Sequence, residues 1–230
     1  MSALPNFTEI ENAVSLETLA PQFGALELAA SANIKRIKAG ETLYVEGEAA
    51  PYCYQIASGV VKEYNTLEDG RRQVADFYGV GELFGISELG EQLHTAEAIT
   101  DCAVRCYPRE SFLNAVESNP ALSHQFLGTL MTRLHRARER MVMLGRMSAL
   151  QRVSAFLMRL AREQRTTYGI QFLMSRQDIA DHLGLTIETV CRALTELKKQ
   201  GVIVMPSSRL FSIPDSDALE ASTNGSEHLH

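Results

Sequence analysis

Apolar positions along the chain change their period twice, and each period predicts a different kind of element. Between residues 40 and 90, alternating segments such as TLYVEG, YCYQIASGVVKEYN and RRQVADFYGVGELFG are cut by turns, and 8 of the 15 glycines of this 230-residue chain fall there. Short strands separated by glycine turns predict a compact all-β unit. Over SHQFLGTLMTRLHRARERMVMLGRM the period lengthens: Leu127, Leu130, Leu134, Ala137, Met141 and Leu144 alternate spacings of three and four, with no proline in the stretch. That is a coiled-coil seam on one long helix, expected to join two copies of the chain. A helix packed only on its own β-unit is the alternative. From Ser175 to Gly201 two shorter periods follow, Ile179, Leu183 and Leu185 in the first, then Val190, Leu194 and Leu197 at i, i+4 and i+7.

The two short periods have the layout of a helix-turn-helix. Ala180 is small enough for the helices to touch, Gly184 stands at the turn, and Thr186 is placed to cap the second helix. The opposite face of that helix carries Glu188, Cys191, Arg192 and Thr195, near the end that enters a major groove in this motif. Arg192 has the fork to donate to guanine O6 and N7, Glu188 can accept from cytosine N4, and Thr195 lies one turn further along. After Gly201, VIVMPSSRLFSI reads as two short strands around Pro206, Ser207 and Ser208, a wing. Ser207, Ser208 and Arg209 on the wing, with Ser175, Arg176, Thr186 and Thr189 around the two helix starts, are the expected phosphate contacts. An ordinary two-helix packing unit with a solvated Glu/Arg face is the competing reading.

ETVCR preceded by LGLT, and followed by a helix, a glycine and a wing, resembles the DNA-binding domain of the Crp-Fnr superfamily of bacterial transcription regulators; DIADHLGLTIETVCRALTEL is similar to its FixK-type branch. The resemblance spans roughly residues 26 to 213 and implies an α+β chain. Its parts are an N-terminal double-stranded β-roll sensor domain with a short helical lead-in (1–115), a long dimerisation helix (116–147), a C-terminal winged helix-turn-helix (148–214) and a polar tail (215–230). In that family the Glu and Arg of a Glu-x-x-Ser/Gly-Arg pattern read the half-site; they match Glu188 and Arg192, with Cys191 in the Ser/Gly position. The resemblance also implies a homodimer on a palindromic TTGA-spacer-TCAA site, activation by contact with RNA polymerase, and control of low-oxygen, denitrification or nitrogen-fixation genes. Loops near Glu68 to Arg72 and Gly85 to Glu88 lie where relatives touch the polymerase.

Charge divides the chain in the same places. The net value is −6, yet residues 1–125 hold 8 basic and 18 acidic side chains, while 126–146 hold 5 and 1 and 147–214 hold 9 and 5. Positive charge is thus concentrated where phosphates would be neutralised, and the acidic sensor is repelled from DNA. No stretch is apolar enough for a membrane span and Met1 begins no signal peptide, so a cytoplasmic protein without membrane contact is expected. No catalytic or phosphate-loop motif and no zinc-ligand spacing is present, which argues against an enzyme.

The sensor's expected ligands are missing from the sequence. Cyclic-nucleotide members of the family hold the ribose with a Gly-Glu pair and the phosphate with an Arg before Ser/Thr-Ala; the matching stretches here are FGISEL and QLHTAEA, with Ile86 and His94 in those places. A neutral imidazole is no substitute for a permanently charged fork. Family members with an iron-sulfur cluster draw most ligands from N-terminal cysteines, and here none precedes Cys53. Cys102 and Cys106 share one face of a strand with Val104, as small buried residues do. No cofactor is expected; the alternative is a ligand-gated regulator with gas-sensing haem on His94, His124 or His135, or another small effector, in the β-roll. Cys191 is then the candidate switch: accessible, beside Arg192 and near a helix N-terminus, it is placed for a lowered pKa and for oxidation. Inert occupancy of the Ser/Gly position is the other reading. A disulfide within one DNA-bound dimer is excluded, because helices about 34 Å apart cannot bring two cysteines together.

Overall fold

The computed structural model describes residues 32–87 and 90–224. Its first part is two four-stranded antiparallel sheets built from β1 (Asn33–Ile37), β2 (Thr42–Tyr44), β3 (Tyr52–Ser58), β4 (Val61–Thr66), β5 (Arg72–Tyr78), β6 (Leu83–Phe84), β7 (Thr95–Ala98) and β8 (Cys102–Pro108). The orders are β1-β8-β3-β6 and β2-β7-β4-β5, so the chain crosses between sheets as a roll rather than running as simple hairpins. Period-two burial is clear on β8, where Cys102, Val104 and Cys106 are buried and Ala103 and Arg105 are less so. The short helical lead-in expected before residue 31 lies outside the described residues.

The roll's interior is packed by side chains. Tyr44 stacks on Tyr54 at 5.2 Å between ring centroids, and Tyr78 on Phe84 at 5.3 Å. Among them lies the buried carboxylate of Glu63, which accepts from Tyr44 Oη at 2.5 Å, Tyr78 Oη at 2.7 Å and the Gly85 amide at 3.2 Å. Burial, and then the Glu63 charge, hold both phenols far above their ordinary pKa, so they remain donors. Gly85 has φ +64°, and a Cβ there would stand 2.6 Å from the Tyr54 ring. Only glycine meets both demands.

Two helices follow, α1 (Arg109–Ser118) and α2 (Pro120–Arg146). Asn119 separates them: its side chain caps α2 by accepting from the Ala121 and Leu122 amides, and Pro120 supplies a pre-set φ at the first helical position. The expected boundary at 115/116 therefore falls inside α1, because the helix-start signal is Asn119-Pro120. At the other end the boundary at 147/148 coincides with Met147 and the capping box Ser148/Gln151 that starts α3 (Ala149–Glu163).

The second part contains α3, β9 (Ile170–Gln171), α4 (Arg176–Leu183), α5 (Ile187–Lys199), β10 (Leu210–Phe211) and α6 (Ser216–Asn224). The expected wing is present: Val204 bridges Ser212, and β10 pairs with β9, a strand too short to leave a period in the sequence. The expected polar tail is corrected at its start. Asp215 accepts from the Asp217 and Ala218 amides, and the helix that follows packs on α3 with Leu219 fully buried. One large apolar residue between two alanines was too weak a signal to announce it.

The two parts share a core. Val74 and Phe77 of β5 belong to the same buried cluster as Phe156, Leu157, Ile179 and Leu183, and Phe77 lies 5.1 Å from the His182 ring of α4. His182 is 2% exposed; burial, then the nearby Arg159 charge, pushes its pKa down to about 3, while Asp76 opposes this. The unfolded chain takes up this proton near pH 6.5 and the folded chain does not, so stability is fully present above pH 6.5 and is lost as the pH falls below it. Denaturant unfolding between pH 7.5 and pH 5 is expected to show a loss of about 2 kcal/mol from this group, and His182→Gln should flatten that slope.

Candidate nucleic-acid interface

The helix-turn-helix is assembled by local signals the sequence displays. Ser175 caps α4 through a box with Asp178, and Gly184 ends it in the left-handed region at φ 63°. Thr186 then caps α5 by accepting from the Thr189 amide at 3.2 Å. Ile179, Ala180, Leu183, Val190, Leu194 and Leu197 are all buried, as their spacing predicts. Burial of that face leaves Glu188, Cys191, Arg192 and Thr195 exposed together on the other.

Their hydrogen bonds prepare this face. Thr186 Oγ1 lies 3.0 Å from Thr189 Oγ1, which in turn accepts from Arg192 Nη2 at 3.2 Å, so a short chain of hydroxyls steadies the guanidinium. The Glu188 backbone amide, the Thr186 hydroxyl and the Arg192 charge hold the Glu188 carboxyl below the usual range. It is therefore ionised and can only accept, which suits an amino-group donor such as cytosine N4. Thr195 donates its hydroxyl proton back to the Cys191 carbonyl at 2.8 Å and retains its lone pairs for an outside donor.

The other sequence-selected residues divide. Ser207, Ser208 and Arg209 stand exposed at the wing tip. Ser175 is committed to its cap, donating to Asp178 Oδ2 at 2.6 Å. Arg176 stacks 3.8 Å above the Phe172 ring and donates to the Ser208 carbonyl at 2.7 Å, so it braces the wing against α4. Cys53, Cys102 and Cys106 are buried, and burial pushes Cys53 up to about 11, whereas Cys191 is exposed. His94 bonds Asn65 at 2.6 Å, and His135 lies 3.2 Å from Glu139. Among the described residues no group of three or more His, Cys, Asp or Glu is placed to hold a metal ion.

On α2, Leu127, Leu130, Leu134 and Met141 are exposed as an apolar row, Met141 by 74%. Leu144 turns inward instead, reaching to 3.4 Å from where a Gly184 Cβ would stand, so the last position of the expected seam supports the turn. Ala137 is half-buried. Two arginines of α2 face the roll: Arg133 lies over the Tyr78 ring and Arg136 donates to Glu82 at 2.8 Å. No helix among the described residues is long and apolar enough to cross a membrane.

Comparison with known proteins places this geometry. Residues 34–119 match the cyclic nucleotide-binding domain, and residues 151–222 match the Crp-like helix-turn-helix domain. The chain is 36% identical over 187 residues to the nitrogen fixation regulation protein FixK of Rhizobium meliloti, covering 81% of this chain and 85% of that one. It is 40% identical over 183 residues to FixK of Azorhizobium caulinodans, covering 77% and 73%. Among solved structures, FixK2 from Bradyrhizobium japonicum superposes with a TM-score of 0.78 at 34% identity, over 82% of this chain and 96% of that one. The chain belongs to the Crp-Fnr family of transcription regulators, in its FixK-type branch. It is a DNA-binding regulator and not an enzyme, with α5 as the second helix of its helix-turn-helix.

Proposed function

We propose that this chain is a homodimeric activator that reads a palindromic TTGA-spacer-TCAA site with Glu188 and Arg192 of each α5. One observation carries the reading. A helix buried along one face exposes an ionised acceptor and a steadied guanidinium one turn apart on the other. Thr195 lies further along that face, and Thr186, Thr189 and the exposed wing residues Ser207 to Arg209 carry donors of the kind that phosphates take. The exposed row Leu127, Leu130, Leu134 and Met141, continued by Ala137, supports pairing of two α2 helices, which would set two reading helices about one DNA turn apart, roughly 34 Å.

RNA polymerase is the second partner in this reading. The exposed β4–β5 turn around Glu68 to Arg71 is the surface offered to it, and Glu88 of the other candidate loop lies outside the described residues. Control of nitrogen-fixation and other low-oxygen genes, in the cytoplasm, follows from likeness to the FixK regulators. The protein works without cyclic nucleotide or iron-sulfur cluster, and control falls to Cys191. Its thiol is exposed on the reading face, so sulfenic acid adds bulk there and higher acids add negative charge beside phosphates.

Arg192→Ala is expected to weaken binding to the palindrome by about 1 to 3 kcal/mol and to relax the preference at one base pair in each half-site. Unchanged binding in a mobility-shift titration would remove Arg192 from the reading face. Peroxide treatment of wild type should abolish most DNA binding, with recovery by thiol if oxidation stops at sulfenic acid, while Cys191→Ser retains it. Equal loss in both proteins would sink the switch.

A further inference from the structure

Buried polar groups cross the boundary between the roll and the helix-turn-helix, and neither local folding nor base reading accounts for them. On β4 three successive residues, Val61, Lys62 and Glu63, are buried, so both faces of the strand are covered. Glu63 points into the roll; Lys62 emerges on the opposite face against α4. Its ammonium lies 2.6 Å from Asp178 Oδ1 and 2.9 Å from Glu97 Oε1, with the Lys62 and Asp178 side chains only 5% and 8% exposed. Asp178 uses its other oxygen, Oδ2, to complete the cap of α4 with Ser175. One carboxylate therefore starts the helix and ties it to the roll.

The other end of α4 is held from the same sheet. Gln73 Nε2 donates to the Asp181 carbonyl at 2.7 Å, satisfying an acceptor at the helix C-terminus, and His182 Nδ1 lies 3.2 Å from the Val74 carbonyl. Arg72 stands 3.7 Å from Glu97 and 3.8 Å from Asp181. These bonds clamp α4 lengthwise across β4 and β5, and α5 rests on α4. A buried ion pair is no better for stability than apolar packing of the same volume, but it accepts a narrower set of geometries. What such a pair can supply here is an angle.

We propose that Lys62 is a positioning residue for DNA recognition: it fixes α4, and with it α5, on the β-roll, and so sets the half-site spacing that a dimer accepts. This rests on the dimeric reading above. The test uses full-length wild type, Lys62→Met, Lys62→Arg and Asp178→Asn, the last keeping an acceptor for the cap while removing the anion. Each is titrated against duplexes with the natural spacer, with spacers one and two base pairs longer or shorter, and with a single half-site. Wild type is expected to prefer the natural spacer at least tenfold. In Lys62→Met and Asp178→Asn that preference should shrink to threefold or less, with single-half-site affinity unchanged, and Lys62→Arg should restore most of it. Should Lys62→Met fail to fold, Asp178→Asn carries the same comparison. A preserved spacer preference overturns the proposal, as does an equal loss on every duplex, single half-site included, which marks a stability role alone. A wild type indifferent to spacing overturns it too, by a separate route, since the dimeric reading fails first.

Discussion

The packing of β5 against α3 and α4 is the contact on which the molecule's geometry depends. Val74 and Phe77 are roll residues by sequence, yet they complete the core of the helix-turn-helix, where Phe77 meets Phe156 and His182. Without that contact the second domain would be held to the first by the connection at Met147 and Ser148 and by a few polar bonds such as Lys62 to Asp178. With it, α5 has a fixed bearing relative to α2. The apolar contact supplies attraction with little preference for angle. Direction comes from the polar groups beside it, Lys62 and Gln73 on the roll and Asp178 and Asp181 on α4.

This arrangement gives the acidic β-roll a mechanical role. Its interior holds Glu63 among Tyr44, Tyr78 and the Gly85 amide, while its outer face receives α4. Strand β4 joins the two surfaces, because Glu63 and Lys62 are neighbours in sequence that point in opposite directions. Arg133 and Arg136 bind the same roll to α2 through Tyr78 and Glu82. The roll thus touches both α2, the helix proposed to pair, and α4, on which α5 rests.

What the sequence revealed, and what it hid, follow from range. The helix-turn-helix was legible because its determinants are local: Ser175, Gly184 and Thr186 act within a turn of themselves, and apolar spacing names the buried face. The wing showed through Pro206 to Ser208, and the exposed apolar row of α2 through the spacing of Leu127 to Met141. The interdomain clamp was not legible. Lys62 and Asp178 are 116 residues apart, and a lysine in VVKEYN reads as an ordinary solvated strand residue until its partner is known. Leu144 looked like one more seam position because periodicity cannot say which surface a half-exposed leucine meets. Likewise α6 follows from one cap and one buried leucine, and Ser175 and Arg176, plausible phosphate contacts by type, are occupied in bracing their own fold.

The proposed recognition of DNA by two rigidly held α5 helices acting as a pair needs no effector. It is tested most directly by titrating the purified full-length protein, in reducing buffer with nothing added, against the intact palindrome and the same duplex with one half scrambled. Two protomers per intact duplex, binding with Kd on the order of 10⁻⁸ to 10⁻¹¹ M and far more weakly to the scrambled one, is the expected result. Equal affinity for both duplexes, or binding that begins only when a small molecule is supplied, would contradict it.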